Sequence, residues 1–310
     1  MLTQTQKKTA ESIINLFETD EVLGDYSKVT LIAGDTGHLT FGRSQTTLGS
    51  GNLYELVRRY CDNGGARFGA RLAPWLPRLE ASDRDLDDDL KLQNLLRASA
   101  DDPVMRDSQD AFFDEFYWQP AASAAEREGI TSALGVAVVY DSHVQGSWLR
   151  MRTRTNAEVG KVAAAGERQW LQAYVATRRA WLASHPRKDL RATVYRMDAF
   201  RRLMDQGYWD LELPLVVRDK EISQNSLSGL PPHCYAGPQP GTRPLALESP
   251  LPRGLDVRLV QLGLSDRGID VKADGIFGRT TMSLIREYQA AHGLPVTDVA
   301  DINLIVQLTA

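Results

Sequence analysis

Two carboxylates and a hydroxyl near the start of the chain have the types and order that glycosidic bond cleavage requires. Glu18 closes an amphipathic run, Asp35 lies in the turn Gly34-Asp35-Thr36-Gly37, and Thr40 follows Asp35 by five positions. In such a reaction one carboxylic acid protonates the leaving oxygen. A second, ionised, acts as nucleophile or as base toward water, and when a water must fit between them the two stand about 6.5 to 9.5 Å apart. Leu16 and Phe17 give Glu18 an apolar setting, the condition under which a carboxylic acid keeps its proton near neutrality. Asp35, in a glycine-rich polar turn, is expected to be ionised. Thr40 is placed to return across a hairpin and hold the attacking water. The plainer alternative is two surface carboxylates and an ordinary turn.

The elements that must position these groups can be read outward from them. Thr3 or Thr5 can cap a helix in which Ala10, Ile13, Ile14 and Phe17 recur at helical spacing, so that Glu18 stands at its end. Val29-Thr30-Leu31-Ile32 and Leu39-Thr40-Phe41 are β-branched and apolar, and the Gly-Asp-Thr-Gly between them is turn chemistry, which predicts a hairpin. Gly49-Ser50-Gly51 breaks the chain before a second helix over 53–61. The acidic run Asp83-Arg84-Asp85-Leu86-Asp87-Asp88-Asp89 has calcium-loop spacing, but Asp88 stands where that loop needs glycine and Asn94 where it needs glutamate. These acids are read as solvated residues near a helix N-terminus, with the lining of a cleft for a polycationic substrate as the alternative. Helices are predicted over 103–117, 120–129, 130–146, 157–184 and 190–206. The run from Ile130 is nearly apolar all round until Asp141, as in a helix buried through a domain centre. A carboxylate there needs a partner, and Arg178 and Arg196 on the following helices are the candidates, although surface solvation would also account for both.

Composition bounds the rest. With 310 residues there is room for two domains, and 43% hydrophobic with 25% charged residues is an ordinary globular balance. A net charge of −4 offers no broad basic surface for nucleic acid, and no apolar run is long enough for membrane insertion. Cys61 and Cys234 are read as free thiols. His233-Cys234 has no second pair at zinc spacing, so neither metal nor cofactor is expected. There is no Gly-x-Ser-x-Gly elbow and no phosphate loop. The N-terminus lacks the apolar core of an export signal, so action on a cell wall is expected to follow lysis or specialised secretion.

The order Glu18, then Asp35-x-x-x-x-Thr40 with flanking glycines, resembles glycoside hydrolase family 46, the chitosanases of the lysozyme superfamily. A related pattern also occurs in phage-type lysozymes. The resemblance, covering roughly residues 5–218, implies a mainly helical two-lobed fold with a small β-hairpin and an inverting mechanism. Glu18 would be general acid, Asp35 general base and Thr40 the water-positioning residue. A buried network of Asp141, Arg178 and Arg196 would link the lobes to the acid, and Tyr140-Asp141-Ser142-His143 and Leu211-Glu212-Leu213-Pro214 follow the family's order. Residues 223–252, rich in Ser, Gly and Pro, read as a linker. Beyond them, 253–310 resembles the three-helix peptidoglycan-binding module, carrying Asp274-Gly275-Ile276-Phe277-Gly278 and Tyr288-Gln289. The domains are therefore expected at 1–222 and 253–310.

The expected activity is endo-acting, inverting hydrolysis of the β-1,4 aminosugar backbone of peptidoglycan, with His38, Arg43, Tyr140 and Phe277 as substrate contacts. Peptidoglycan is preferred to chitosan because of the attached module and because His38 and Arg43 flank the hairpin, a mix better suited to a polymer bearing carboxylates than to a polycation. Chitosan is the alternative, and a non-catalytic wall-binding protein is the second. A phage lysin or secreted antibacterial effector, the latter with an immunity protein as partner, is the setting these features suggest.

Overall fold

The computed structural model describes residues 2–31, 36–43 and 45–310. They form a mainly helical protein with small β-ladders, arranged as two compact units. The first unit comprises Met1–Gly24 and Phe113–Gly229, the second Asp25–Phe112 and Leu230–Ala310.

In the first unit the centre is the helix Ala133–Val144, buried from Ala133 through Ser142. Ser132 caps it, its hydroxyl accepting from the Gly135 amide at 3.2 Å. Around it pack Gln4–Thr19, Gln119–Glu128, Trp148–Val159, Glu167–Ala183 and Tyr195–Asp205. Each turns an apolar stripe inward, so the central helix is apolar all round while its neighbours are amphipathic. Thr3 starts the first helix with a capping box, its hydroxyl accepting from the Gln6 amide at 3.2 Å while the Gln6 side chain accepts from Thr3 at 2.9 Å. The single helix expected over 157–184 is instead broken, with Gly160 and Gly166 at φ 84° and 81° separating Trp148–Val159, Val162–Ala165 and Glu167–Ala183. A hairpin, Leu215–Val217 with Lys220–Ile222, closes the unit's chain together with the helix Gln224–Ser228.

In the second unit the predicted hairpin is a three-stranded antiparallel sheet. Val29–Thr30 pairs with Thr40–Phe41, which pairs in turn with Thr46–Thr47. Phe41 packs in a core with Leu53, Leu56, Tyr60, Leu86 and Leu92. The acidic run supplies two caps. Asp83 accepts from the Asp85 amide at the start of a 3₁₀ turn, Arg84–Asp88, and Asp89 accepts from Leu92 at the start of the helix Leu90–Ser99.

The three helices of the C-terminal part, Leu255–Asp266, Arg279–Ala291 and Ile302–Thr309, enclose their own core around Val260, Phe277, Ile285 and Leu304. This part belongs to the same compact unit as the sheet. Leu262 packs into the sheet's core, and buried Asn94 donates to Ser265 Oγ and the Val271 carbonyl while accepting from the Ala273 amide. Buried Arg258 stands 3.1 Å from Asp101. The proline-rich stretch is tied into the contact, because the Tyr235 amide donates to Asp101 at 2.8 Å and the Tyr235 hydroxyl to the Asp274 carbonyl at 3.1 Å. Gly275, at φ 76°, is required there, since a Cβ would lie 2.2 Å from the Tyr235 ring.

Candidate active site

Glu18 occupies the last turn of Gln4–Thr19, and Asp20 ends that helix in the left-handed conformation. The final carbonyls of a helix have no partner within it. Here Leu16 O accepts from Arg218 at 2.9 Å and Phe17 O from the Tyr195 hydroxyl at 2.8 Å. Phe17 is clamped edge-on by Tyr195 and Phe200, and the Arg196 guanidinium lies 5.3 Å from its ring centre. The turn that carries Glu18 is thus held by side chains from Tyr195–Asp205 and from the hairpin after it.

The Glu18 carboxylate, 39% exposed, accepts a hydrogen bond from Arg196 Nη2. Arg196 also reaches Asp141 at 2.9 Å, and Asp141 receives Arg178 at 2.5 Å from the other side. Asp141 and Arg178 are fully enclosed and Arg196 is 2% exposed. Arg178 further donates to Ser142 Oγ at 3.0 Å and Gln145 Oε1 at 2.6 Å. Burial works against the Arg196 charge, but Asp141 and Glu18 more than offset it, so the guanidinium is held firmly protonated. The structure therefore brings Glu18, Arg196, Asp141 and Arg178 into one chain of charge-assisted hydrogen bonds. Two cations face two carboxylates in it, so a Glu18 that has given up its proton finds its counter-ion in place.

Asp35 lies outside the described residues. Thr40 is buried in the middle strand, opposite Thr30 and Thr47, and its hydroxyl donates to the His38 carbonyl at 3.0 Å. His38, at φ 58°, meets Asp87 through Nδ1 at 2.7 Å, and the same carboxylate accepts from the Leu39 amide at 2.8 Å. Arg43 bonds Asp110 and, at 3.2 Å, the Tyr26 hydroxyl. Both residues expected to greet an acidic substrate are thus already engaged by carboxylates. The two expected aromatic contacts are corrected. Tyr140 is fully buried, packed edge-on by Phe113 and Trp118, and Phe277 is fully buried in the core of the C-terminal helices. Each ring's apolar area is spent on packing, so neither presents a face to a sugar. Sequence reasoning passed over Asp87, whose only signal was its place in an acidic run.

This helical scaffold, with Glu18 at a braced helix end, is that of a lysozyme-like glycoside hydrolase, as the family comparison shows. The chain belongs to glycosyl hydrolase family 46, whose sequence profile matches residues 12–215, while residues 253–308 match that of a putative peptidoglycan binding domain. A chitosanase of Bacillus subtilis (strain 168) is 29% identical over 234 residues, spanning 71% of this chain and 84% of the relative. Among solved structures, the family 46 chitosanase of Gynuella sunshinyii in complex with chitotetraose has TM-score 0.58 and 28% identity over 73% of this chain and 99% of that one. A mutant chitosanase of Bacillus subtilis MY002 complexed with 6 GlcN has TM-score 0.56 and 27% identity, covering 70% and 96%.

Proposed function

We propose that this glycoside hydrolase cuts chitosan, acting within the chain and with inversion. Glu18 protonates the glycosidic oxygen, and Asp35 takes a proton from the water that attacks the anomeric carbon from the opposite face. Thr40 helps hold that water. The bond from sugar carbon to leaving oxygen breaks as the bond to water oxygen forms. Arg196, anchored by Asp141, receives the Glu18 carboxylate this creates, favouring the charge where it develops. Residues 1–222 are assigned to catalysis, 223–252 to a connecting stretch and 253–310 to the binding module, on the strength of the two family matches.

The observation that carries the choice of polymer is the charge around the sheet. Asp87 fixes the acidic 3₁₀ turn against His38 and Leu39, leaving Asp85 and Asp88 exposed beside it. Arg43 is matched by Asp110. The argument for an anionic polymer from His38 and Arg43 therefore falls away, and an acidic surface suits a polymer of ammonium groups. The chitosanase relatives support the same choice. Reducing-end release from chitosan and from purified peptidoglycan decides it. Release from chitosan is expected, and release from peptidoglycan alone would overturn the reading.

The match of residues 253–308 favours a second reading, hydrolysis of the peptidoglycan backbone. Antibacterial action as a phage lysin or secreted effector, with an immunity protein as partner, belongs to that reading. Clearing of cell-wall suspensions by the parent but not by Glu18→Gln is its test.

A further inference from the structure

The second unit contains a buried amide that the reaction as described does not use. Gln109, on the helix Pro103–Phe113, is fully enclosed. Its Oε1 accepts from the Arg43 amide at 3.0 Å and its Nε2 donates to the Tyr26 carbonyl at 3.0 Å. Those two backbone groups stand at the two stems of the segment that carries Thr40 and, in sequence, Asp35. We propose that Gln109 is a positioning residue for hydrolysis, its carboxamide fixing the spacing of the stems and thereby the placement of the water-holding threonine, Thr40. The inference rests on the role of Thr40 given above.

Three further contacts support it. Gly42, at φ 78°, lies so close that a Cβ there would be 2.3 Å from Gln109 Oε1, so the strand end is built around this amide. Asp110, the next residue, completes the clamp through side chains, bonding Arg43 and accepting from the Tyr26 hydroxyl at 2.6 Å. Burial pushes the Tyr26 phenol up, so it stays a donor there. Further along the segment Asp87 holds the Leu39 amide and the His38 ring. The segment is thus held at Tyr26, His38, Leu39 and Arg43 by buried or half-buried side chains. A carboxamide uses one donor and one acceptor in this bridge, and no apolar residue of the same length can supply either.

Misplacement of a reacting group by about 1 Å can cost on the order of 100-fold in rate even when the altered residue is remote from the chemistry. Gln109→Met keeps the length and removes both hydrogen bonds. On a protein that remains folded by circular dichroism, kcat on chitosan is expected to fall by at least about 10-fold with KM changed by less than about 3-fold. The distinguishing readout is a double-mutant cycle with Thr40→Val. If Gln109 acts through Thr40, Gln109→Met costs less than about 3-fold further once the threonine hydroxyl is gone. An unchanged kcat, or the same loss in both backgrounds, overturns the inference. If Thr40→Val alone is as active as the parent, the assignment of the water-holding residue has failed, and the inference with it. Should Gln109→Met not fold, Gln109→Asn, which keeps the amide but withdraws it by one methylene, is put through the same cycle with the same readings.

Discussion

Asp141 is the group whose removal should be felt most widely. It is fully buried and is the carboxylate shared by Arg178 and Arg196, both themselves enclosed. Asp141→Asn preserves the shape and leaves two guanidinium groups facing a neutral amide. Breaking one buried pair by removing a partner costs about 3–5 kcal/mol, because the remaining charge is left in a low-dielectric interior. Arg178, fully buried, is left without its carboxylate while Arg196 keeps only Glu18, so the upper end applies. At roughly 2–4 °C per kcal/mol for a domain of this size, the melting temperature should drop by about 10–20 °C. Adding Arg178→Met removes the stranded charge and should recover a substantial part of that loss. Activity should fall beyond the stability effect, since the Asp141 contact is what aims Arg196 at Glu18. A kcat loss on the order of 100-fold, assayed well below the variant's melting temperature, is expected. A drop of less than about 3 °C together with an unchanged kcat would refute the account of the network.

The other predictions concern the second unit. Burial pushes the Asp101 carboxyl up to about 6, against the opposing pull of Arg258, the Tyr235 amide and the more distant Arg106 and Arg67. A raised folded-state value means that the stability Asp101 contributes is fully present below the ordinary carboxylate range and lost as pH rises through about 6. The unfolding free energy of the parent relative to Asp101→Asn should accordingly worsen by about 2 kcal/mol between pH 4 and pH 7; a difference flat with pH would contradict this. Deleting 253–310 takes from Asn94 its Ser265, Val271 and Ala273 partners and from Asp101 its Arg258, and uncovers the surface met by Leu262, so the sheet's unit should melt several degrees lower, and an unchanged melt would show that the contact contributes nothing. Burial pushes the Cys234 thiol up to about 12, and thiol-specific reagents should modify it only after unfolding.

Local patterns carried the parts of this molecule that local physics decides. The helix ending at Glu18 was legible because Ala10, Ile13, Ile14 and Phe17 lie on one stripe and Thr3 can cap it. The helix Ala133–Val144 was legible because it is apolar on every side until Asp141, and a buried carboxylate demands arginines. The strand Thr46–Thr47, two residues long, has no periodicity to read. The break at Gly160 and Gly166 was hidden by helix-forming neighbours on both sides. The seating of Leu255–Asp266 against the sheet's core rests on Asn94, Asp101 and Arg258, polar residues brought together from far apart in sequence. The pairings of His38 with Asp87 and of Arg43 with Asp110 are of the same long-range kind. Without them, His38 and Arg43 beside the turn looked like a landing place for an acidic polymer. Tyr140 and Phe277 were misread for a related reason, since an aromatic beside a functional motif looks the same in sequence whether it packs the core or faces a ligand.

The central claim, a general acid at Glu18 working with a base at Asp35 on a water molecule, is tested most directly by the configuration of the first product. Proton NMR during cleavage of a β-1,4 glucosamine hexamer should show the α-anomer appearing before mutarotation, with the signal lost in Glu18→Gln and in Asp35→Asn. A β-anomer formed first, or undiminished cleavage by Glu18→Gln, would contradict it.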